Sequence, residues 1–396
     1  MSVAERSDSY RSMRSGKVGS HWGLYCRDRE RLRLLGWAEH PQTERHINRL
    51  VSGDPDTGYI DWALSTFFDS PPDLGLSIGS GSGYLERLII DHGLAAAMEG
   101  VDISTEALSV AVGGRGERAI DYLVRDLNTD ELDPGRYDFA VSAAALHHVT
   151  NLEHCLEQLH GALKEDGLLV IYEYVGPDRF QWDDARMALV NRVYSRLPRR
   201  YRFNHLTERT RNRIERKPLA HMVEADPSES VRSSELPALI SLYFETVEAR
   251  PLGAGLLHPL LEGIIGNFDE NDEVDRAYLD LVLALDEGLT SSGSLPADFI
   301  VQVMRRRREP LPGAPPAREG ARKMDIIHRQ EEEILELGRR LGEADERNRE
   351  LAEGVATQQE EIERLTEHGH KLLAENEALK SRGPLKYVRF LKARRS

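Results

Sequence analysis

The sequence predicts an α/β fold: a seven-stranded sheet with helices on both faces, followed by a long coiled-coil helix. Three observations carry this. Residues 74–104 read as strand, glycine turn, helix and second strand, closed by an acid, Asp102. Short apolar runs then alternate with helical stretches as far as Met304. Past a proline-rich break, a seven-residue apolar repeat takes over.

At 396 residues the chain exceeds one typical domain and can bury a large core. Its net charge of −15 and pI near 5.5 argue against nucleic acid as the main partner. Cys26 and Cys155 have neither metal-site nor disulfide-framework spacing, which points to a reducing compartment. The N-terminal stretch lacks the apolar segment of a signal peptide, and no run of 18 apolar residues occurs. The expected location is therefore cytoplasmic.

Residues 1–68 read as an N-terminal helical cap, polar over 1–20 and aromatic afterwards. Trp22, Tyr25, Trp37, Trp62, Phe67 and Phe68 cover the sheet or, in the alternative, His21, Trp22 and Tyr25 help close a site over a reacting cation. The sheet domain is expected over 69–308. Leu74–Ile78 forms the first strand and feeds Gly79, Gly81 and Gly83, where backbone can approach a ligand that any Cβ would block. The next helix carries Leu85, Leu88 and Ile89 on one face. Asp102 ends the second strand, placed to accept hydrogen bonds from a ribose diol, so the unit signals a nucleotide or nucleoside cofactor.

Ser104 caps a helix over Thr105–Val112, and Ile120–Val124 is a third strand closed by Asp126, Leu127 and Asn128. Tyr137–Ser142 is the fourth strand, Leu152–Leu163 a helix, Lys164–Gly167 its exit turn and Leu168–Tyr172 the fifth strand. A helical elaboration over about 176–240 carries Arg179, Phe180, Trp182 and Arg196, Arg199, Arg200, Arg202. These arginines form either a solvated rim or a clamp for an anionic substrate. Leu242–Val247 is a sixth strand, Leu252–Phe268 an apolar stretch holding His258, and Glu273–Leu289 an amphipathic helix. Phe299–Met304 is the last strand, lying antiparallel to its neighbours.

Together these motifs resemble the class I, Rossmann-like S-adenosylmethionine-dependent methyltransferases, over about residues 20–306. The loop Gly79-Ser80-Gly81-Ser82-Gly83 is similar to that family's GxGxG turn, and Asp102 to its ribose-binding acid. Asp126-Leu127 resembles the acid–apolar pair near the adenine, Leu146-His147-His148-Val149 the LHHV segment, and residues 161–169 the stretch before the fifth strand. The resemblance implies S-adenosyl-L-methionine as cofactor, held by Gly79, Gly81, Gly83, Asp102, Ile103, Asp126, Leu127 and Ser142. Ser77 departs from the pattern, standing where the family commonly has an acid; Lys164-Glu165-Asp166 departs at the later turn. A dehydrogenase loop would need a glycine where Tyr84 stands.

Methyl transfer requires alignment of an attacking atom and, for a protonated nucleophile, a proton acceptor. His147, Glu173 and His258 are the candidate catalytic residues, and His148, Arg179, Trp182 and Arg200 the candidate substrate contacts; no metal ligand is assigned. Each histidine has a packing role as its alternative, and alignment without a base is a further one. The resemblance to bacterial polysaccharide-modifying methyltransferases implies O-methylation of a sugar or glycan, with a glycan-assembly enzyme as partner. The alternatives are a small-molecule natural-product O- or N-methyltransferase and a cofactor-binding scaffold without catalysis.

Residues 309–320 read as a proline-rich linker. Over 321–380 the heptad places Ile327, Ile334, Leu341, Val355 and Ile362 at a, and Leu337, Leu351, Leu365, Leu372 and Leu379 at d. The expectation is a coiled coil and a homo-oligomer, a dimer in preference to a trimer, since Asn348 and Asn376 also fall at a. The basic tail, 381–396, is expected either as a weak anchor on the inner face of the cytoplasmic membrane, as a dock for a partner enzyme, or as a flexible end.

Overall fold

The computed structural model describes residues 34–380; the expected closing residues His21, Trp22 and Tyr25, and the basic tail, lie outside the described residues. Two helices come first: α1 (Pro41–Ser52) and α2 (Tyr59–Phe67). Pro41 starts α1 where a missing N–H costs nothing, and Gly53 ends it in the left-handed region. Then follow β1 (Leu74–Ile78), α3 (Tyr84–Asp91), β2 (Ala97–Asp102), α4 (Thr105–Arg115), β3 (Ile120–Val124), β4 (Tyr137–Ala143), α5 (Leu152–Ala162) and β5 (Leu163–Tyr174). The elaboration holds α6 (Asp184–Tyr194), a small ribbon of β6 (Phe203–Asn204) and β7 (Arg209–Thr210), α7 (Leu219–Ala225) and α8 (Leu236–Tyr243). It leads into β8 (Phe244–Gly253), α9 (Leu257–Leu261), α10 (Glu273–Ser291), β9 (Phe299–Arg306) and α11 (Ala317–Lys380).

Seven strands form one sheet in the order β3-β2-β1-β4-β5-β9-β8. The pairs from β3 to β5 are parallel, and β9 lies antiparallel between β5 and β8. This is a Rossmann-like mixed sheet with helices on both faces, followed by a long C-terminal helix. The central strands are covered on both sides, so Phe139, Ala140, Val141, Leu169 and Val170 are all fully buried. On one face Leu156 and Leu159 of α5 pack with Leu236 and Ile240 of α8. On the other, Ile60 and Leu64 of α2 pack with Ile89 of α3.

Three elements differ from expectation. Lys164–Gly167 is not a simple turn: Tyr137 pairs with Leu163 and Phe139 with Leu168, so these residues bulge within β5. Leu242 and Tyr243 finish α8 rather than starting a strand, because Leu236, Leu239, Ile240 and Tyr243 share the helix's inward face. Along α3 the buried residues are Glu86 and Ile89, whereas Leu85 and Leu88 are only half-buried.

Two compact units divide at Leu335 and Glu336. In the first, α11 begins within the expected linker, and Gly320, Met324, His328 and Glu331 are buried along one of its faces. Met324, His328 and Glu331 on that face fall outside the a and d positions. In the second, Leu341, Leu351, Val355, Ile362 and Leu365 are exposed.

Candidate active site

The carboxyl ends of β1, β2, β4 and β5 meet at one edge of the sheet. Gly79 takes φ 66°, and a Cβ there would strike the Ala145 side chain, so the β1 turn and the loop after β4 can close on each other only around glycine. Gly83 starts α3 at φ 77°, tight against the Tyr122 hydroxyl. The Gly81 N–H donates to Asp102 Oδ2 (2.9 Å), and the Ser104 N–H to Asp102 Oδ1 (2.8 Å). Burial raises the Asp102 carboxyl above its ordinary range against these hydrogen bonds. Ile103 follows, half-buried. At the end of β3, Asp126 Oδ1 accepts from the Asn128 N–H and side-chain amide, and Leu127 packs against the core. Four groups around this edge are buried with no hydrogen-bond partner: the Tyr59 and Tyr122 hydroxyls, Ser80 Oγ and both Glu86 oxygens. Buried polar groups without partners are rare, so this set suits a polar ligand laid across the loop.

Glu173, fully buried at the end of β5, is the hub of the neighbouring network. Its Oε1 accepts from Ser142 Oγ (2.5 Å) and from the N–H groups of Ala145 and Leu146 (2.8 Å each). Its Oε2 accepts from His147 Nδ1 (2.7 Å). That contact sets the tautomer of His147 and leaves Nε2 facing Glu229 Oε1 at 3.6 Å. Burial opposes a charged His147, but Glu173 outweighs it with help from Glu229 and Asp226, and the imidazole is held above its ordinary pKa. His148 stacks against it with centroids 4.2 Å apart and is pushed the other way, by burial and then by His147. Its Nδ1 lies 3.0 Å from Ser228 Oγ.

Glu229 and Ser228 reach the site on the loop after α7. Ser228 is turned back by Asp226, whose Oδ1 accepts from its N–H and hydroxyl (2.8 and 2.6 Å). Arg179 clamps the same loop from within: Nη1 donates to Pro227 O (2.7 Å), and Nη2 pairs with Glu331 of α11. Nearby Arg232, 2% exposed, bridges Glu153 and Glu235, and Lys323 of α11 joins both acids. Burial notwithstanding, Arg232 and Lys323 hold the Glu153 carboxyl down at about 2. The loop carrying Glu229 is therefore fastened to α5 and to the first turns of α11.

His258 forms a second layer across Tyr174. Its ring meets Tyr174, Phe180, Trp182 and Phe299 edge-on, with centroids 4.7–5.6 Å away. Burial, then Lys217 and His147, lower it to about 3, so it is neutral, and its Nδ1 has no partner. Trp182 is fixed through its indole N–H to Asp298 Oδ2 (2.8 Å). One helical turn from His258, Glu262 retains some exposure while burial, countered by Lys217 and reinforced by Glu229, pushes its carboxyl up to about 7.

The structure thus brings together Glu173, His147, His148 and Ser142, and sets His258 and Trp182 beside them. Arg179 and Arg200 do not join as substrate contacts. The Arg179 guanidinium is buried among loop carbonyls and Glu331, and Arg200 pairs with Asp275 (2.7 Å) at the start of α10. Sequence reasoning missed Tyr59, Glu86, Glu229 and Glu262. Glu86 alone left a signal, an acid three residues past Gly83 and three before Ile89, in register with an apolar position of the same helix. Although no metal was assigned from sequence, His147, His148 and Glu229 each bring a donor atom within 4.8 Å of the others, a cluster able to hold a cation.

Residues 76–171 match the family model described as a methyltransferase domain. The chain is 29% identical over 118 residues to a malonyl-[acyl-carrier protein] O-methyltransferase of Acetivibrio thermocellus, covering 29% of this chain and 41% of that protein. It is 31% identical over 91 residues to a probable S-adenosylmethionine-dependent methyltransferase of Saccharomyces cerevisiae, covering 22% and 31%. It spans less than half the length of either relative. Among solved structures, a S-adenosylmethionine-dependent methyltransferase from Mesorhizobium loti aligns at 20% identity and a TM-score of 0.38, covering 62% of this chain and 98% of that one.

Proposed function

We propose that this protein is an S-adenosylmethionine-dependent methyltransferase, with the cofactor on the glycine edge and the acceptor between His147 and the His258 layer. The observation that carries the reading is the coincidence of the methyltransferase-domain match with unpartnered polar groups around the same loop. When bound, the cofactor supplies a methyl group on a cationic sulfur with a good leaving group. Gly79, Gly81 and Gly83 shape its seat, Asp102 with Ile103 serves the ribose, and Asp126 with Leu127 the adenine end. Ser142 acts through Glu173, which orients His147. His147 Nε2 takes the proton of an acceptor hydroxyl once the imidazole is in its neutral form. His258, already neutral, is a second acceptor for that proton. Phe180, Trp182 and Tyr174 supply flat apolar walls against which a sugar face stacks, and His148 lies beside the acceptor. Arg179 positions the Glu229 loop.

The favoured acceptor is a sugar or glycan methylated on oxygen; a small natural product methylated on oxygen or nitrogen is the second reading, and a catalytically silent cofactor-binding scaffold the third. The exposed heptad face of α11 supports a coiled-coil homo-oligomer, a dimer before a trimer. Among the described residues no helix is long and apolar enough to cross a membrane. A cytoplasmic protein whose basic tails touch the inner membrane face, where glycan-assembly enzymes work, fits that arrangement. The test is product mass and methyl position after incubating full-length protein and cofactor with glycans, nucleotide sugars and non-sugar metabolites. Transfer to a sugar hydroxyl is expected. Transfer confined to non-sugar acceptors overturns the glycan reading, and cofactor binding with no transfer favours the scaffold.

A further inference from the structure

Among the described residues, Glu86 is a buried acid that nothing in the fold explains. It sits in the first turn of α3 with 0% exposure, and neither carboxylate oxygen has a hydrogen-bond partner. A leucine or isoleucine would serve this inward position, next to Ile89, at no electrostatic cost. Burying an unpaired carboxyl instead is expensive, and such a group persists when something binds it. Its surroundings come from four elements. The Ser77 hydroxyl of β1 approaches it without closing a normal hydrogen bond, and Asp102 faces it from β2. The Tyr59 hydroxyl of α2 and the Tyr122 hydroxyl of β3 also face it, both themselves unpartnered. Among the described residues the cation acting on it is Arg87, whose Nη1 donates to Ser82 O at 2.8 Å.

Two unpartnered acceptors on Glu86, with the Tyr59 and Ser77 hydroxyls facing them, match a compact cation with several N–H donors. A primary ammonium carries that set of donors on one centre of positive charge. Ser77 occupies the strand position, two residues before Gly79, where an acid was expected and is missing. The missing charge is present in space, delivered from the helix instead of the strand. We propose that Glu86, with Tyr59, binds the ammonium group of the cofactor's amino-acid tail, replacing from α3 the acid that Ser77 does not provide from β1. This rests on the cofactor reading above. It also assigns α2 a binding role, since Tyr59 stacks on Tyr172 (5.4 Å) and so ties the methionine end to β5 beside Glu173.

The test separates the tail from the nucleoside. Full-length protein is titrated calorimetrically with S-adenosylhomocysteine and with 5′-methylthioadenosine, which keeps the thioether nucleoside and lacks the amino-acid tail. Glu86→Gln is expected to weaken S-adenosylhomocysteine at least tenfold and to leave methylthioadenosine within twofold. The exchange Ser77→Asp with Glu86→Gln, returning the acid to β1, should regain most of the lost affinity; Glu86→Asp gives an intermediate value. Equal weakening of both ligands, or no weakening of either, overturns the assignment while leaving the cofactor reading standing. If wild-type protein binds neither ligand, the cofactor reading falls first and this one with it.

Discussion

Glu173 and Glu86 are both fully buried on the same edge of the sheet, yet Glu173 accepts hydrogen bonds from four groups and Glu86 from none. The first is a finished structural element. It ties β4, β5 and the 146–148 turn into one rigid unit and aims His147. The second is unfinished, and folding gains nothing from it. The contrast teaches that burial alone does not mark function; the missing partner does. Glu153 belongs with Glu173, since Arg232 and Lys323 neutralise it completely.

The largest effect should follow from Glu173→Ala. It strands the Ala145 and Leu146 N–H groups, each worth about 1–3 kcal/mol when unsatisfied, so urea unfolding should show a loss of about 3–5 kcal/mol. Methyl transfer should drop more than a hundredfold as His147 loses its orientation. An Ala variant as stable as wild type would erase the distinction between the two carboxylates.

Arg232→Ala should cost a similar amount, about 3–5 kcal/mol, because it leaves Glu153 charged and partly unpaired. Here the sign with pH is fixed. Glu153 is depressed to about 2, so the pair's stabilisation is present above about pH 4.5 and is lost as pH falls through 2. The gap between wild type and variant, measured by denaturant at several pH values, should therefore narrow in acid.

A middle-sized effect concerns rate. His147 is held above its ordinary value, so its base form appears only as pH rises past that point. Methyl transfer should climb about tenfold per pH unit on the acid limb, while the His147–Glu173 attraction fades over the same window. A flat profile would point to alignment without a base.

Smaller still is the effect of Glu86→Gln on unliganded stability. The Glu86 carboxyl is raised to about 7 by burial, against the Ser77 hydroxyl and Arg87, with Asp102 adding to the rise. A raised acid favours the fold below its unfolded value, and that contribution is lost as pH rises through 7. The variant should match wild type near pH 5 and exceed it by ~1–3 kcal/mol at pH 8.5. The least effect belongs to Arg200→Ala, whose partner is Asp275 on α10: methyl transfer should stay within twofold in a standard turnover assay.

Much of this was legible in sequence. The strand–glycine–helix–strand unit, the acids at the ends of β2 and β3, and the approach of His147 and Glu173 follow from short-range pattern plus the rule that ligands gather at strand carboxyl ends. Arg179 shows where that reasoning stops. An arginine in a polar stretch reads as a rim residue, and only packing reveals that loop carbonyls and Glu331 surround it. The start of α11 was hidden for a related reason: Met324, His328 and Glu331 dock on a face that the heptad ignores. Glu86 was visible as a misplaced acid on α3, but its depth and lack of partners depend on Tyr59 and Tyr122, distant in the chain.

The most direct measurement is a single denaturant series on wild type, Glu86→Gln and Arg200→Ala, each with and without S-adenosylhomocysteine at a hundred times the wild-type dissociation constant. A ligand that binds only the folded chain stabilises it by about 2.7 kcal/mol under those conditions. Wild type and Arg200→Ala should both gain that amount, and Glu86→Gln clearly less. A wild-type midpoint that does not move at any ligand concentration would contradict the assignment of this sheet edge to S-adenosylmethionine.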